Sequence, residues 1–165
     1  MDKRSRCYKL LVVLLMAMFL TGCRRVKQYI STDDMIVKFK SVEKYDIKYD
    51  TQFYRTIREV GMIVGPDFKI GFEQPTEIKN EKEFEKLKGQ YKDQEDFKEV
   101  KYSGYEGFMF YTAPYIRYEI YLNIDNKHVL RLNIYSANDP KEFQTKALNS
   151  KEVQYILKHL KVKFK

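Results

Sequence analysis

Tyr118-Glu119-Ile120-Tyr121-Leu122-Asn123-Ile124-Asp125-Asn126-Lys127-His128-Val129-Leu130-Arg131-Leu132-Asn133-Ile134-Tyr135 is the stretch on which the fold turns. Tyr118, Ile120, Leu122 and Ile124 alternate with Arg117, Glu119, Tyr121 and Asn123. Successive side chains of a strand point to opposite faces, so this period of two predicts a half-buried strand. Asp125-Asn126-Lys127 reads as a hairpin turn, because Asn and Asp tolerate left-handed backbone angles. Leu130, Leu132 and Ile134 then return on a partner strand, opposite in phase to Val129, Arg131, Asn133 and Tyr135.

Working outward, Phe97 to Tyr102 and Gly107 to Tyr111 read as two more strands, joined by a bend from Gly104 to Gly107. Upstream of them a helix is expected. Asn80 caps it with Glu83 three positions on, and Phe84, Leu87 and Tyr91 share one face. Glu83/Lys86 and Glu85/Lys88 stand three apart on its outer surface, as a solvated face requires. Downstream, Val153, Ile156, Leu157 and Leu160 trace a helical apolar stripe starting near Ser150, and Lys161 to Lys165 are expected to end extended. Toward the N-terminus, 35–42 and 45–49 alternate. Two strands are expected between Tyr54 and Phe72, with Gly65-Pro66-Asp67 as the turn, since proline presets φ there.

Strands in antiparallel runs with one inserted and one terminal helix predict an α+β domain, its helices packed on an antiparallel sheet. The order resembles the PsbP-like fold group. The resemblance rests on the Phe84/Leu87 helix, the Gly104-to-Gly107 bend, the pair ending Leu132-Asn133-Ile134-Tyr135, and Lys151-Glu152-Val153 leading to Ile156-Leu157. It covers about residues 42–163 and implies an accessory, binding or assembly role, with no functional residue carried over.

The N-terminus carries a different signal. Lys3, Arg4, Arg6 and Lys9 precede Leu10 to Leu20, an unbroken apolar run. As a helix this run spans about 16 Å, against about 30 Å of hydrocarbon, which suits a signal-peptide core rather than a membrane span. Leu20-Thr21-Gly22-Cys23 follows and resembles the lipobox of bacterial lipoproteins. The resemblance implies cleavage between Gly22 and Cys23, with Leu20, Thr21 and Gly22 recognised by the peptidase and a diacylglyceryl group on the Cys23 sulfur. An uncleaved signal anchor and an ordinary secretory signal are the alternatives. The expected organisation is a signal peptide over 1–22, a lipidated polar tether over 23–34 and one α+β domain over 35–165.

That reading places the protein on the extracytoplasmic face of a bacterial cell membrane. Of the two cysteines, Cys7 leaves with the leader and Cys23 is occupied, which removes disulfide and thiol chemistry. The leader's four basic residues and one acidic residue lower the net charge from +8 to about +5. Two acyl chains anchor stably where one is marginal. Arg24, Arg25 and Lys27 lie where anionic headgroups would attract them, or serve as plain linker residues.

Motifs for catalysis are absent: no G-x-S-x-G elbow, no phosphate-binding glycine loop and no H-E-x-x-H helix. His128 and His159 have no metal-ligand spacing, so neither a metal nor a cofactor is expected. Tyr115, Tyr118 and Tyr121 beside Arg117 read either as a stacking face or as ordinary sheet core. Lys and Glu are interspersed along the sequence, which reads as a solvated surface, and no dense basic stripe suggests nucleic acid. The expected function is a non-enzymatic, lipid-anchored accessory or binding protein whose partner is an envelope protein or anionic envelope polymer. An envelope hydrolase with a site built from dispersed polar residues is the alternative.

Overall fold

The Tyr118–Tyr135 stretch folds as the hairpin its alternation requires. In the computed structural model, which describes residues 25–53, 57–136 and 140–165, Arg117–Asn123 and His128–Tyr135 pair antiparallel, with Leu122 opposite Leu130 and Ile120 opposite Leu132. Asn126 takes a left-handed φ of 61°, and the Asp125 carboxylate accepts the backbone N–H groups of Lys127 and His128.

The elements in chain order are β1 (Val26–Ser31), β2 (Met35–Ser41), β3 (Asp46–Phe53), β4 (Ile57–Val64), β5 (Lys69–Glu73), the short β6 (Thr76–Glu77), α1 (Glu81–Gln90), β7 (Lys98–Tyr102), β8 (Tyr105–Thr112), β9 (Arg117–Asn123), β10 (His128–Tyr135), α2 (Lys141–Asn149), α3 (Lys151–Leu157) and β11 (Lys161–Phe164). The large sheet runs β3-β4-β5-β10-β9-β8-β7, with β6 also on β10; the small one runs β1-β2-β11. Every pairing is antiparallel, so the domain is α+β.

One face of the large sheet meets α2, α3 and the small sheet, and Ile30, Phe39, Phe72, Leu132 and Ile156 are buried there. Each completely buried side chain of this kind contributes about 1.5–3 kcal/mol. On the opposite face, α1 lays Phe84 and Leu87 onto Phe108, Phe110, Tyr121 and Val129.

Local signals set several boundaries. The Asn80 side chain accepts the Glu83 N–H at 3.3 Å, while Glu83 Oε2 accepts the Lys79 N–H at 2.5 Å, closing a variant of the capping box. Ser150 caps α3 in the same way, accepting the Val153 N–H at 3.2 Å. Between β7 and β8 the bend expected over Gly104 to Gly107 is instead a two-residue turn at Ser103-Gly104, and Gly107 lies within β8. Ser103 (φ 54°) and Gly104 (φ 91°) both lie in the left-handed region that matches the twist of a hairpin.

Three expectations are corrected. Residues 26–31 of the expected tether form β1: Val26 pairs with Ser41, Ile30 with Val37, and Ile30 is completely buried. The charged residues around it hid an alternation whose partner strand supplies the hydrogen bonds. The terminal helix ends at Leu157, and Leu160 reaches the core from the following turn. It is preceded by α2, which the sequence reading left unassigned; Pro140 opens α2 and its Ala147 and Leu148 are buried. Lys161–Phe164 is not only extended but paired with β2. Among the described residues no helix is long and apolar enough to cross a membrane. Leu20, Thr21, Gly22 and Cys23 lie outside the described residues, as does Tyr54.

Candidate functional site

Two places concentrate polar groups inside the fold: a charged layer on the second face of the large sheet, and a cleft beside the start of the small sheet.

The charged layer follows from the hairpin's alternation. Arg117, Glu119 and Tyr121 of β9 share a face with Arg131, Asn133 and Tyr135 of β10, joined by Glu59 of β4 and Glu73 of β5. Arg117 is completely buried; its Nη2 donates to Glu119 Oε1 at 2.6 Å and its Nη1 to the Tyr135 hydroxyl at 3.2 Å. Arg131 bridges Glu119 Oε2 at 2.6 Å and Glu73 Oε2 at 3.1 Å. Charge-assisted hydrogen bonds of this kind are what make buried ion pairs tolerable.

Glu59 is also completely buried, and its Oε1 accepts from Asn133 Nδ2 at 3.0 Å and from the Tyr135 hydroxyl at 2.6 Å. Its side chain crosses the neighbouring strand at Gly71, where a Cβ would overlap the carboxylate, so only glycine fits. Oε2 has no hydrogen-bond partner. Burial pushes the Glu59 carboxyl above the ordinary range, against the lowering pull of Tyr135, Asn133 and Arg117. With its proton held, Glu59 would leave two guanidiniums facing two carboxylates, Arg117 and Arg131 against Glu73 and Glu119.

The sign of the pH dependence follows. Folded Glu59 holds its proton more tightly than an unfolded glutamate. Its contribution is therefore most favourable below the ordinary glutamate range and weakens as pH rises through the folded value. Glu59→Gln keeps the accepting oxygen and should flatten this alkaline-going loss. Chemical denaturation between about pH 4 and 8 should show the variant losing less stability than the parent; an equal or steeper fall would refute the neutral-carboxyl account.

None of the layer's residues lines the cleft or the two smaller cavities beside α1 and β6. This cleft holds about 580 Å³ and is walled by the β2–β3 connection, the β4–β5 turn, α2 and the first turn of α3. Its apolar surface includes Phe68, Ala147 and two side chains left largely exposed, Val42 (43%) and Phe143 (38%). Glu43, Asp67 and Glu152 outnumber Lys146, so the cleft is acidic within a basic protein.

Tyr45 stands at this wall, 5% exposed, edge-on to Phe68 with ring centroids 5.3 Å apart. Gln28 of β1 clamps it by bonding both its backbone N–H and its carbonyl. The Tyr45 hydroxyl is buried without a hydrogen-bond partner. Burial, then the Glu43 and Glu152 carboxylates, push its pKa above the ordinary phenol value, so the hydroxyl keeps its proton and stands ready as a donor.

No family model, no curated protein and no solved structure matches this chain.

The residues singled out in the sequence separate. Tyr118 and Tyr121 are both buried but point to opposite faces of β9, one into the main core and one beneath α1, so they share no stacking face. Arg117 lies under Tyr115, its guanidinium carbon 4.9 Å from the ring centre. His128 bonds the Asp125 carboxylate at 2.9 Å and stacks on Phe164; His159 bonds the Tyr155 carbonyl at 2.7 Å. Among the described residues, no three His, Cys, Asp or Glu side chains converge as metal ligands would. Sequence reading missed both the charged layer and the cleft. The one signal for the layer was Arg117, Glu119, Arg131 and Asn133 recurring in one phase of a strongly patterned hairpin.

Proposed function

We propose that this protein is a lipid-anchored accessory or binding lipoprotein on the extracytoplasmic face of a bacterial membrane, and that the cleft beside Tyr45 holds its ligand or partner segment. The cleft carries the binding half of this reading. A largely pre-formed concavity with an apolar lining and a few convergent polar groups is the usual form of a binding site. Its chemistry favours an occupant with an apolar body and a positive charge, the body against Phe143 and Val42 and the charge toward Glu43 and Glu152.

The anchor half rests on Leu20-Thr21-Gly22-Cys23, supported by the short distance to the fold. Val26, the first residue of β1, stands three residues beyond Cys23, a reach of at most about 11 Å. An anchored Cys23 would hold the domain against the bilayer, with the cleft near it, because Val26 pairs with Ser41 just ahead of Val42 and Glu43. The PsbP-like assignment belongs to the same proposal, supported by α1 and α3 standing in the order the resemblance requires.

Cys23→Ala should abolish fatty-acid labelling and leave the precursor uncleaved; labelling that persists would overturn the lipobox reading. For the cleft, crosslinking in membranes should capture a partner that Phe143→Glu loses while the fold is retained. Capture unaffected by that change, or no partner alongside turnover of an envelope substrate, would overturn the binding reading.

A further inference from the structure

The exposed side chains on the outer face of the small sheet are mostly lysine. β2 lies between β1, from the start of the domain, and β11, from its end. Inward-facing Ile30, Met35, Val37 and Phe39 belong to the core. The outward positions are Lys27, Tyr29 and Ser31 on β1, Ile36, Lys38 and Lys40 on β2, and Lys161 and Lys163 on β11; Ser31 and Ile36 are half-buried and the other six are exposed. The register sets Lys27 opposite Lys40, and Lys38 between Tyr29 and Lys161. No acidic residue occurs in any of the three strands. The ion pairs among the described residues engage Lys88, Lys101, Lys141, Arg117, Arg131 and His128, and none of these five lysines.

Directly opposed like charges weaken a strand pair. Here the repulsion is repeated across both ladders, whereas the buried Arg117 and the half-buried Arg131 of the large sheet are paired with carboxylates. Five ammonium groups on a flat face, neighbours within a Debye length of about 8–10 Å, sum to a strong local positive potential. A planar, polyvalent anionic surface complements that arrangement. The face also carries Tyr29, 61% exposed, an amphipathic ring suited to the headgroup layer.

We infer that the lysine face of β1, β2 and β11 docks on an anionic membrane surface and lays the small sheet flat against the lipid headgroups. The location beside the membrane rests on the anchored reading of Cys23, since Lys27 stands four residues beyond it. The face would then act as the second attachment signal that cooperates with a lipid anchor.

The test uses the full chain, purified with its own anchor and reconstituted in vesicles of phosphatidylcholine alone or with about 30 mol% phosphatidylglycerol. Amine labelling with a membrane-impermeant reagent, read lysine by lysine by mass spectrometry, reports contact. Lys27, Lys38, Lys40, Lys161 and Lys163 should label about fivefold more slowly in the anionic vesicles, with the protection lost in about 0.5 M salt. Lys82 and Lys86, exposed on α1, should label alike in both. The Lys38→Glu/Lys161→Glu double variant should lose the protection at the remaining three lysines, and thermal stability no lower than the parent's would show that it is folded.

Equal labelling of the five lysines in both vesicle types would overturn the inference. So would protection by soluble polyphosphate but not by phosphatidylglycerol, which would assign the face to a polymer. Fatty-acid labelling of the same preparation reads the anchor separately. If Cys23 carries no lipid, a leader-held chain still reports the face, so the two failures are distinguishable.

Discussion

Arg117→Met should destabilise the domain by about 3–5 kcal/mol, the usual cost of removing one partner from a buried ion pair. Methionine keeps much of the bulk, so the loss isolates charge and hydrogen bonding from cavity formation. Arg117 is completely buried and donates twice to Glu119 Oε1, at 2.6 and 3.1 Å, and once to Tyr135. Its removal leaves Glu119 and Glu73 sharing Arg131 alone. Adding Glu119→Gln restores the charge balance and should recover a large part of the loss. Urea denaturation of the two single variants and the double variant forms a cycle in which coupling appears as non-additivity. Additive effects, or an Arg117→Met variant as stable as the parent, would show that the layer is not a coupled unit.

Phe108→Ala is expected to cost a similar amount, about 3–5 kcal/mol, by a different mechanism. Phe108 is completely buried at the centre of the second core, with the rings of Tyr121, Phe84 and Tyr91 centred 4.8, 5.7 and 5.8 Å away. It is the floor on which α1 sits. Phe84 is the one buried residue of that ten-residue helix, and helices so short are marginal without packing. Amide hydrogen exchange should therefore show α1 opening well before the small sheet in the variant. If α1 amides stayed as protected as those of β2, the aromatic seat would not be what holds the helix.

Much of the fold was legible because its signals are local. The β9–β10 hairpin needed only a period of two and an Asp-Asn turn. Asn80 and Ser150 cap their helices through bonds spanning three residues. What escaped depends on partners distant in sequence. β1 resembled a polar tether until β2 took up its backbone groups, and the Lys161–Phe164 segment became a strand by pairing with the same neighbour.

The candidate site was less legible still. Arg117, Glu119, Arg131 and Asn133 occupy the polar phase of an amphipathic hairpin, which ordinarily faces water. They are interior here because polar partners converge on them: Arg117 pairs with Glu119 two residues on, Arg131 with Glu119 and Glu73 of the flanking strands, and Asn133 donates to Glu59 and Glu73 from much earlier in the chain. Tyr45 gave no sign of its unpartnered hydroxyl, since the cleft around it is assembled from four separate segments.

By itself, then, the sequence determined the α+β class, the main hairpin, the helix caps and the expectation of a lipid-bearing Cys23, all matters of short-range pattern. Tertiary structure alone decided where the charges go. Lysines from distant parts of the chain are gathered onto one face because β1 and β11, from opposite ends of the domain, pair with β2. Strand register sorts side chains by face rather than by sequence neighbour, and no local pattern carries that information.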